Sequence, residues 1–128
     1  MRTHLLLWTV GVLQTASTAA LSAHHTVTQV FDVTKHVTLE GTVTKVEWKD
    51  PHVILHLDAR GDETRTIEWR IETLNPQGLS RAGLNQDSFK VGDALTAAVC
   101  IAKDGARLAV THEITRSGGA ASVSVGGC

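Results

Sequence analysis

Residues 64–83, TRTIEWRIETLNPQGLSRAG, contain the change of period that decides the fold. Apolar and polar residues alternate over the first part of this stretch, and a period of two predicts a half-buried strand. The alternation stops at Asn75, which suits a helix N-cap, and Pro76 fits the first helical position. A short helix closed by Gly83 is therefore predicted directly after the strand. The residues of the strand that are expected to face the core are Ile67, Trp69 and Ile71.

The stretch KDPHVILHL, residues 49–57, predicts a second strand before this one. It alternates between two faces, as a half-buried strand does. The face expected to point inward carries Val53, Leu55 and Leu57. The face expected to point to solvent carries His52, Ile54 and His56.

The stretch HVTLEGTVTKVEW, residues 36–48, predicts a long first strand. Its apolar residues change parity along the strand, and an inserted residue near Thr44 and Lys45 would produce that change as a β-bulge. Gly41 would allow the strand to bend sharply.

Two more strands are predicted after the helix. They are ALTAAVCIA and RLAVTHEIT, and Asp104–Gly105 between them is a strong hairpin signal. The order of three strands, one short helix and two strands predicts an all-β fold with one short helix, an OB-like five-stranded partly open barrel over residues 36–115. A flatter antiparallel sheet with a packed helix is the alternative. Residues 24–35 are expected to form an N-terminal extension of the barrel, and the Gly/Ser/Ala-rich residues 116–128 a flexible tail.

The chain begins with the layout of a secretory signal peptide, predicted over residues 1–23. One basic residue, Arg2, precedes an apolar run over residues 5–13, and small polar residues follow. The run is shorter than the roughly 20 residues that span a bilayer, so no transmembrane segment is expected after signal removal. Cleavage is expected after Ala23, with Ala19 or Ala20 as the competing sites, and an ordinary buried helix is the alternative reading.

The charge of the predicted exported chain, residues 24–128, argues against nucleic acid as a partner. Of the 12 lysine and arginine residues, Arg2 leaves with the signal, so 11 remain against 13 acidic residues, a formal charge of −2. We therefore expect no nucleic-acid binding. Export permits a disulfide between Cys100 and Cys128, but two free thiols, or a bond between molecules through Cys128, are equally open.

Several stretches together resemble a family of small exported bacterial proteins that is classed as a domain of unknown function. They are AHH at residues 23–25, VTLEGTVTKVEWKDPHV at 37–53 and PQGLSRAGLNQDSFKVGD at 76–93. The resemblance covers most of residues 23–112 and implies a bacterial periplasmic or secreted location. Family members commonly carry aromatic residues at the positions of Ile54, His56 and Leu84, so a ligand surface made of aromatics would be reduced here.

The histidines suggest a metal site. His52 and His56 are four residues apart on one strand, roughly 13 Å, so they cannot share a metal unless the strand bends strongly. After cleavage at Ala23, the free amine and His24 could chelate copper, completed by His25 or His52, because copper suits nitrogen ligands. Solvated histidines without a ligand role are the alternative.

The residues point to a binding module of unknown ligand rather than an enzyme. Neither cysteine has a nucleophile setting, and the sequence contains no glycine-rich phosphate loop and no paired carboxylates. The site is expected on the outer face of the second and third strands, with Trp48, His52, Ile54 and Glu72 near it. A structural or protein-interaction component of the cell envelope is the alternative function.

Overall fold

The computed structural model describes residues 25–61, 64–116 and 122–128, but not the side chains of residues 25 and 26. The predicted signal peptide and His24 lie outside the described residues. The elements in chain order are α1 His25–Val30, β1 Val37–Glu47, β2 Ile54–Arg60, β3 Thr66–Glu72, α2 Pro76–Arg81, a 3-10 helix Gln86–Ser88, β4 Ala94–Ile101, β5 Leu108–Arg116 and β6 Val123–Ser124.

The first five strands form a closed barrel with OB-fold topology. The long β1 pairs antiparallel with both β2 and β4, while β2 pairs with β3 and β4 with β5. A parallel pairing of β3 with β5 closes the barrel. The predicted OB-like barrel is thus confirmed, and it is closed where a partly open one was expected. The sixth strand, β6, adds to β5 at the edge.

The first strand reaches both of its neighbours because it bends and bulges. Gly41 pairs with Ala59 of β2 and with Leu95 of β4, so it lies where the strand passes from one partner to the other. The register with β2 shifts between Val43 and Lys45, which confirms the bulge predicted there. A second shift, in the pairing of β4 with β5, leaves His112 as the extra residue of β5 and was not predicted.

The main core fills the barrel with residues from every barrel strand and from α2. Asn75 caps α2 by accepting a hydrogen bond from the Gly78 N–H at 2.7 Å, and Gly83 has a φ of +80° just beyond the helix. Leu79 of α2 is fully buried in the core. The inward-facing residues of this core include Val43, Val53, Leu55, Leu57, Trp69, Ile71, Leu95, Ala97, Val99 and Ile114.

A second apolar cluster lies outside the barrel. Its buried members are Phe31, Cys100, Ala102 and Val110, with Val27, Leu108 and Cys128 packed against them. We call it the outer cluster. It joins the segment before β1 and the end of the chain to β4 and β5.

The end of the chain settles one open alternative and differs from one sequence-based expectation. Cys100 and Cys128 form a disulfide, which decides between the alternatives left open for these residues. The predicted flexible tail is held on the sheet at its end: β6 pairs with β5, and Val125 is fully buried. Its residues 117–121 lie outside the described part of the chain.

Candidate functional site

Helix α1 and the residues after it are anchored on the outside of the barrel. Phe31 is only 4% exposed and bridges Ala102 as an isolated β-pair. Backbone hydrogen bonds run from Asp32 N–H to the Ile101 carbonyl at 3.0 Å and from Lys103 N–H to the Val30 carbonyl at 2.9 Å. This segment was predicted only as an N-terminal extension, and it forms one wall of a groove.

The groove between α1 and the barrel is a cavity of about 650 Å³. This volume is in the range of about 300–1,000 Å³ that small-ligand pockets occupy. Most of its side chains are apolar, and the polar exceptions come from the loop before β2, the last residue of β3 and the loop between β3 and α2. The lining residues are Val27, Val30, Phe31, Pro51, His52, Glu72, Thr73, Leu74, Asn75, Leu108, Val110 and Gly127.

His52 is held in one orientation by the backbone that follows β3. Its Nδ1 lies 3.0 Å from the Thr73 carbonyl oxygen, and a carbonyl can only accept. The Nδ1–H therefore donates, and in the neutral ring Nε2 keeps its lone pair. Thr73 is itself fixed, since its N–H and its hydroxyl both donate to the Val53 carbonyl, each at 2.9 Å.

Glu72 brings a carboxylate to the same groove. It is half-buried and pairs with Ile54 on β2 and with Val110 on β5, so these three side chains share the outer face. Among the described residues, its carboxylate forms no salt bridge and no hydrogen bond with another side chain. Because Thr73 follows Glu72 and its carbonyl accepts from His52, His52 and Glu72 come from adjacent segments of the groove lining.

The other residues predicted for this site lie elsewhere. Trp48 is half-buried and packs against the main core. Ile54 was expected on the solvent side but is 3% exposed, flanked in the sheet by Glu47 and Glu72. Of the predicted metal ligands, His24 lies outside the described residues, and the side chain of His25 is not described.

The second histidine of β2 belongs to a separate ionic cluster. His56 Nε2 lies 3.0 Å from a Glu47 carboxylate oxygen, and its Nδ1 lies 3.3 Å from a Glu68 oxygen. Only the doubly protonated ring can donate to both. The hydrogen bond from His56, helped by Lys49 and Lys45, lowers the pKa of Glu47 to about 2. His52 and His56 therefore have different partners and do not converge on one metal.

A second cavity, of about 350 Å³, lies between β1, β2, β3 and β4. Its lining is mostly threonine and charged side chains, among them Glu40, Asp58 and Arg60. It offers little apolar surface to hold a ligand, so the groove beside α1 is the better candidate site.

Sequence reasoning missed the wall that α1 contributes. Val27 and Val30 of α1 and Phe31 directly after it follow the i, i+3, i+4 spacing of one helix face. Over only six helical residues this signal is short, but it is the pattern from which the wall could have been found.

The fold and the groove define a small OB-type barrel with a ligand-sized apolar groove on its outer face. The chain belongs to a family of unknown function (DUF6152), whose model matches residues 12–111. This confirms the resemblance to a small domain-of-unknown-function family. No curated protein and no solved structure gave a significant match to the chain.

Proposed function

We propose that this protein is an exported, non-enzymatic binding module whose groove takes a small amphipathic ligand with a cationic or hydrogen-bond-donating head. The observation that carries the proposal is the apolar cavity of about 650 Å³ beside two acceptor groups, the Glu72 carboxylate and His52 Nε2. Pockets of this size with a few convergent polar groups are typical binding sites.

The chemistry of the lining selects the ligand class. Valine, leucine and phenylalanine side chains favour an apolar body, because its burial removes apolar surface from water. A carboxylate and an imidazole lone pair both accept hydrogen bonds, so they favour a ligand whose head donates. A hydrogen bond to a charged group contributes about 1.5–3 kcal/mol, or roughly tenfold to a hundredfold in affinity.

Two features support a binding role over catalysis and over nucleic-acid recognition. Cys100 and Cys128 are bonded to each other, so neither offers a thiolate nucleophile in this form. The outer face of β2 and β3, which OB-folds use for oligonucleotides, carries Glu68 beside Glu47 and His56. These carboxylates disfavour a phosphate backbone.

Export is supported by the disulfide, because such bonds persist in oxidising compartments. None of the described helices has the length and apolar character that a membrane crossing requires. The signal peptide over residues 1–23 stays a prediction, which the intact mass of the protein recovered from the periplasm or medium tests.

The proposed ligand class is tested with three probes that share one tail: octylamine, octanol and octanoate. Isothermal titration of the full chain as recovered from cells should give the order amine, then alcohol, then carboxylate. Glu72→Gln keeps the shape of the side chain and removes its charge. It should weaken octylamine binding about tenfold and leave octanol binding nearly unchanged.

Glu68→Gln is the matched control, because Glu68 lies on the same strand and outer face but does not line the groove. Octanoate binding as tightly as octylamine, or equal losses in the two glutamine variants, would contradict the proposal. Failure of all three probes, together with a partner captured reproducibly by crosslinking in cells, would instead favour the structural or interaction role.

The copper hypothesis for His24, His25 and His52 also stays a prediction. It is supported by the free Nε2 of His52 and by the position of α1, which begins at His25 and whose Val27 and Val30 line the groove with His52. Copper titration of the exported chain and of its His52→Ala variant tests it. Equal affinity in both would remove His52 from the site.

A further inference from the structure

The disulfide lies in the outer cluster, with one sulfur more accessible than the other. Cys100 on β4 is fully buried, whereas Cys128 is half-buried. The backbone next to Cys128 is fixed to β5, since the N–H groups of Gly127 and Cys128 donate to the Thr111 carbonyl at 2.7 and 3.3 Å. A reductant would therefore attack the sulfur of Cys128, and the backbone around it would stay in place.

Two histidines lie beside this disulfide. A ring nitrogen of His36, just before β1, and the sulfurs of Cys100 and Cys128 all lie within 4.8 Å of one another. The ring of His112, the bulged residue of β5, stacks on His36 with 4.3 Å between centroids and 21° between planes. Both sulfurs and the His36 ring thus lie together at the outer cluster, with His112 stacked on His36.

His36, Cys100 and Cys128 can supply three ligands of a tetrahedral zinc site. Zinc binds thiolate at about 2.3 Å and imidazole at about 2.0–2.1 Å, so two ligands of one ion lie roughly 3.5–3.8 Å apart. From a separation of 4.8 Å or less, His36 needs to approach by only about 1 Å. The sulfurs must separate, because thiolates and not a disulfide ligate metal.

We propose that reduction of the Cys100–Cys128 disulfide creates a soft-metal site of the zinc or Cu(I) type, with both thiolates and His36 as ligands. A dithiol reductant supplies two electrons and two protons, the S–S bond breaks, and the reductant leaves as its own disulfide. The metal ion then displaces both thiol protons to solvent, and the neutral imidazole of His36 donates its lone pair. His112 or a water completes the tetrahedron.

Cobalt(II) is the probe, because its tetrahedral thiolate complexes absorb in the visible and near ultraviolet. The full chain, reduced with a phosphine, should bind one equivalent and show a thiolate-to-cobalt charge-transfer band that zinc abolishes. The oxidised chain should show no such band. His36→Ala leaves the disulfide intact and should weaken binding at least tenfold, whereas His56→Ala, in its separate ionic cluster, should not.

Three results would overturn the proposal. The first is a reduced chain that keeps its circular dichroism spectrum and shows no charge-transfer band. The second is equal cobalt affinity in the His36→Ala and His56→Ala variants. The third is a reduced chain that unfolds and does not refold when zinc is added, because a site with real affinity couples metal binding to folding.

Discussion

Replacing Phe31 with alanine should damage the groove and leave the barrel folded. Phenylalanine-to-alanine changes at buried positions cost about 3–5 kcal/mol. Phe31 is 4% exposed but lies in the outer cluster and not in the main core, so we expect the lower end, about 3 kcal/mol. The cost cannot exceed the free energy that docks α1, because beyond it the helix detaches while the barrel stays folded.

The Phe31→Ala variant should lose more octylamine affinity than its loss of stability suggests. Phe31 and the adjacent α1 residues Val27 and Val30 form one wall of the groove. If α1 detaches, that wall is lost, and octylamine affinity should fall more than tenfold. Urea unfolding followed by circular dichroism gives the stability, and isothermal titration on the folded variant gives the affinity.

Phe89 provides the matched comparison. It is 3% exposed, belongs to the main core and does not line the groove. Phe89→Ala should destabilise the protein at least as much as Phe31→Ala, while the folded fraction keeps its octylamine affinity. Retention of full affinity by the Phe31 variant, or an equal loss in the Phe89 variant, would refute the assignment of the groove.

Three further predictions follow from single features. His56→Ala removes the largest cause of the depressed Glu47 pKa, so in a carboxyl NMR titration this pKa should rise from about 2 toward 4.5. The native protein has a stabilisation above pH 4.5 that it loses as the pH falls toward 2, and this stabilisation should shrink in the variant. An unmoved Glu47 pKa would contradict the prediction. Gly41→Ala places a Cβ 2.7 Å from a Cα of β2, so urea unfolding should report a loss of about 3 kcal/mol or more, and a loss below 1 kcal/mol would contradict the close strand approach. Reducing the Cys100–Cys128 bond, which spans 28 residues, should lower the unfolding free energy by about 3.5 kcal/mol in the absence of metal, and an unchanged urea midpoint would contradict it.

The barrel was predictable because its signals are local. Alternation along each strand fixes which face is buried, and the Asn75–Pro76 pair marks the start of a helix by capping chemistry alone. The bulge of β1 could be read from the parity change around Thr44, because a one-residue insertion exchanges the two faces of a strand. Each of these signals depends on neighbours within a few residues.

The closing contact and the outer cluster were not predictable in the same way. The parallel pairing of β3 with β5 joins Arg70 to Leu108 across many intervening residues, and nothing in either strand specifies it. The end of the chain reads as a linker, because glycine and serine dominate it, yet its few apolar residues dock on β5. Val125 is buried only because the barrel presents a surface for it.

Strand parity predicted some residues of the candidate site and misplaced others. His52 and Glu72 were placed on the outer face by strand parity, and both line the groove. Trp48 follows the bulge of β1, and the parity change there turns it toward the main core. The face of a strand on which a side chain lies therefore depends on every bulge that precedes it in that strand.

The groove shares residues with the outer cluster that holds the disulfide, so we expect the redox state of the disulfide to affect ligand binding. Phe31 and Val110 belong to the outer cluster and also line the groove, and Gly127 of the groove precedes Cys128. In the proposed metal site, reduction and metal binding would move the sulfur of Cys128 and thereby the packing behind that wall. If the reduced and oxidised forms then bind a groove ligand with different affinities, the ligand must shift the redox equilibrium of the disulfide by the same factor. Such a linkage would make ligand affinity depend on the redox or metal state of the outer cluster, while the barrel beneath keeps its fold.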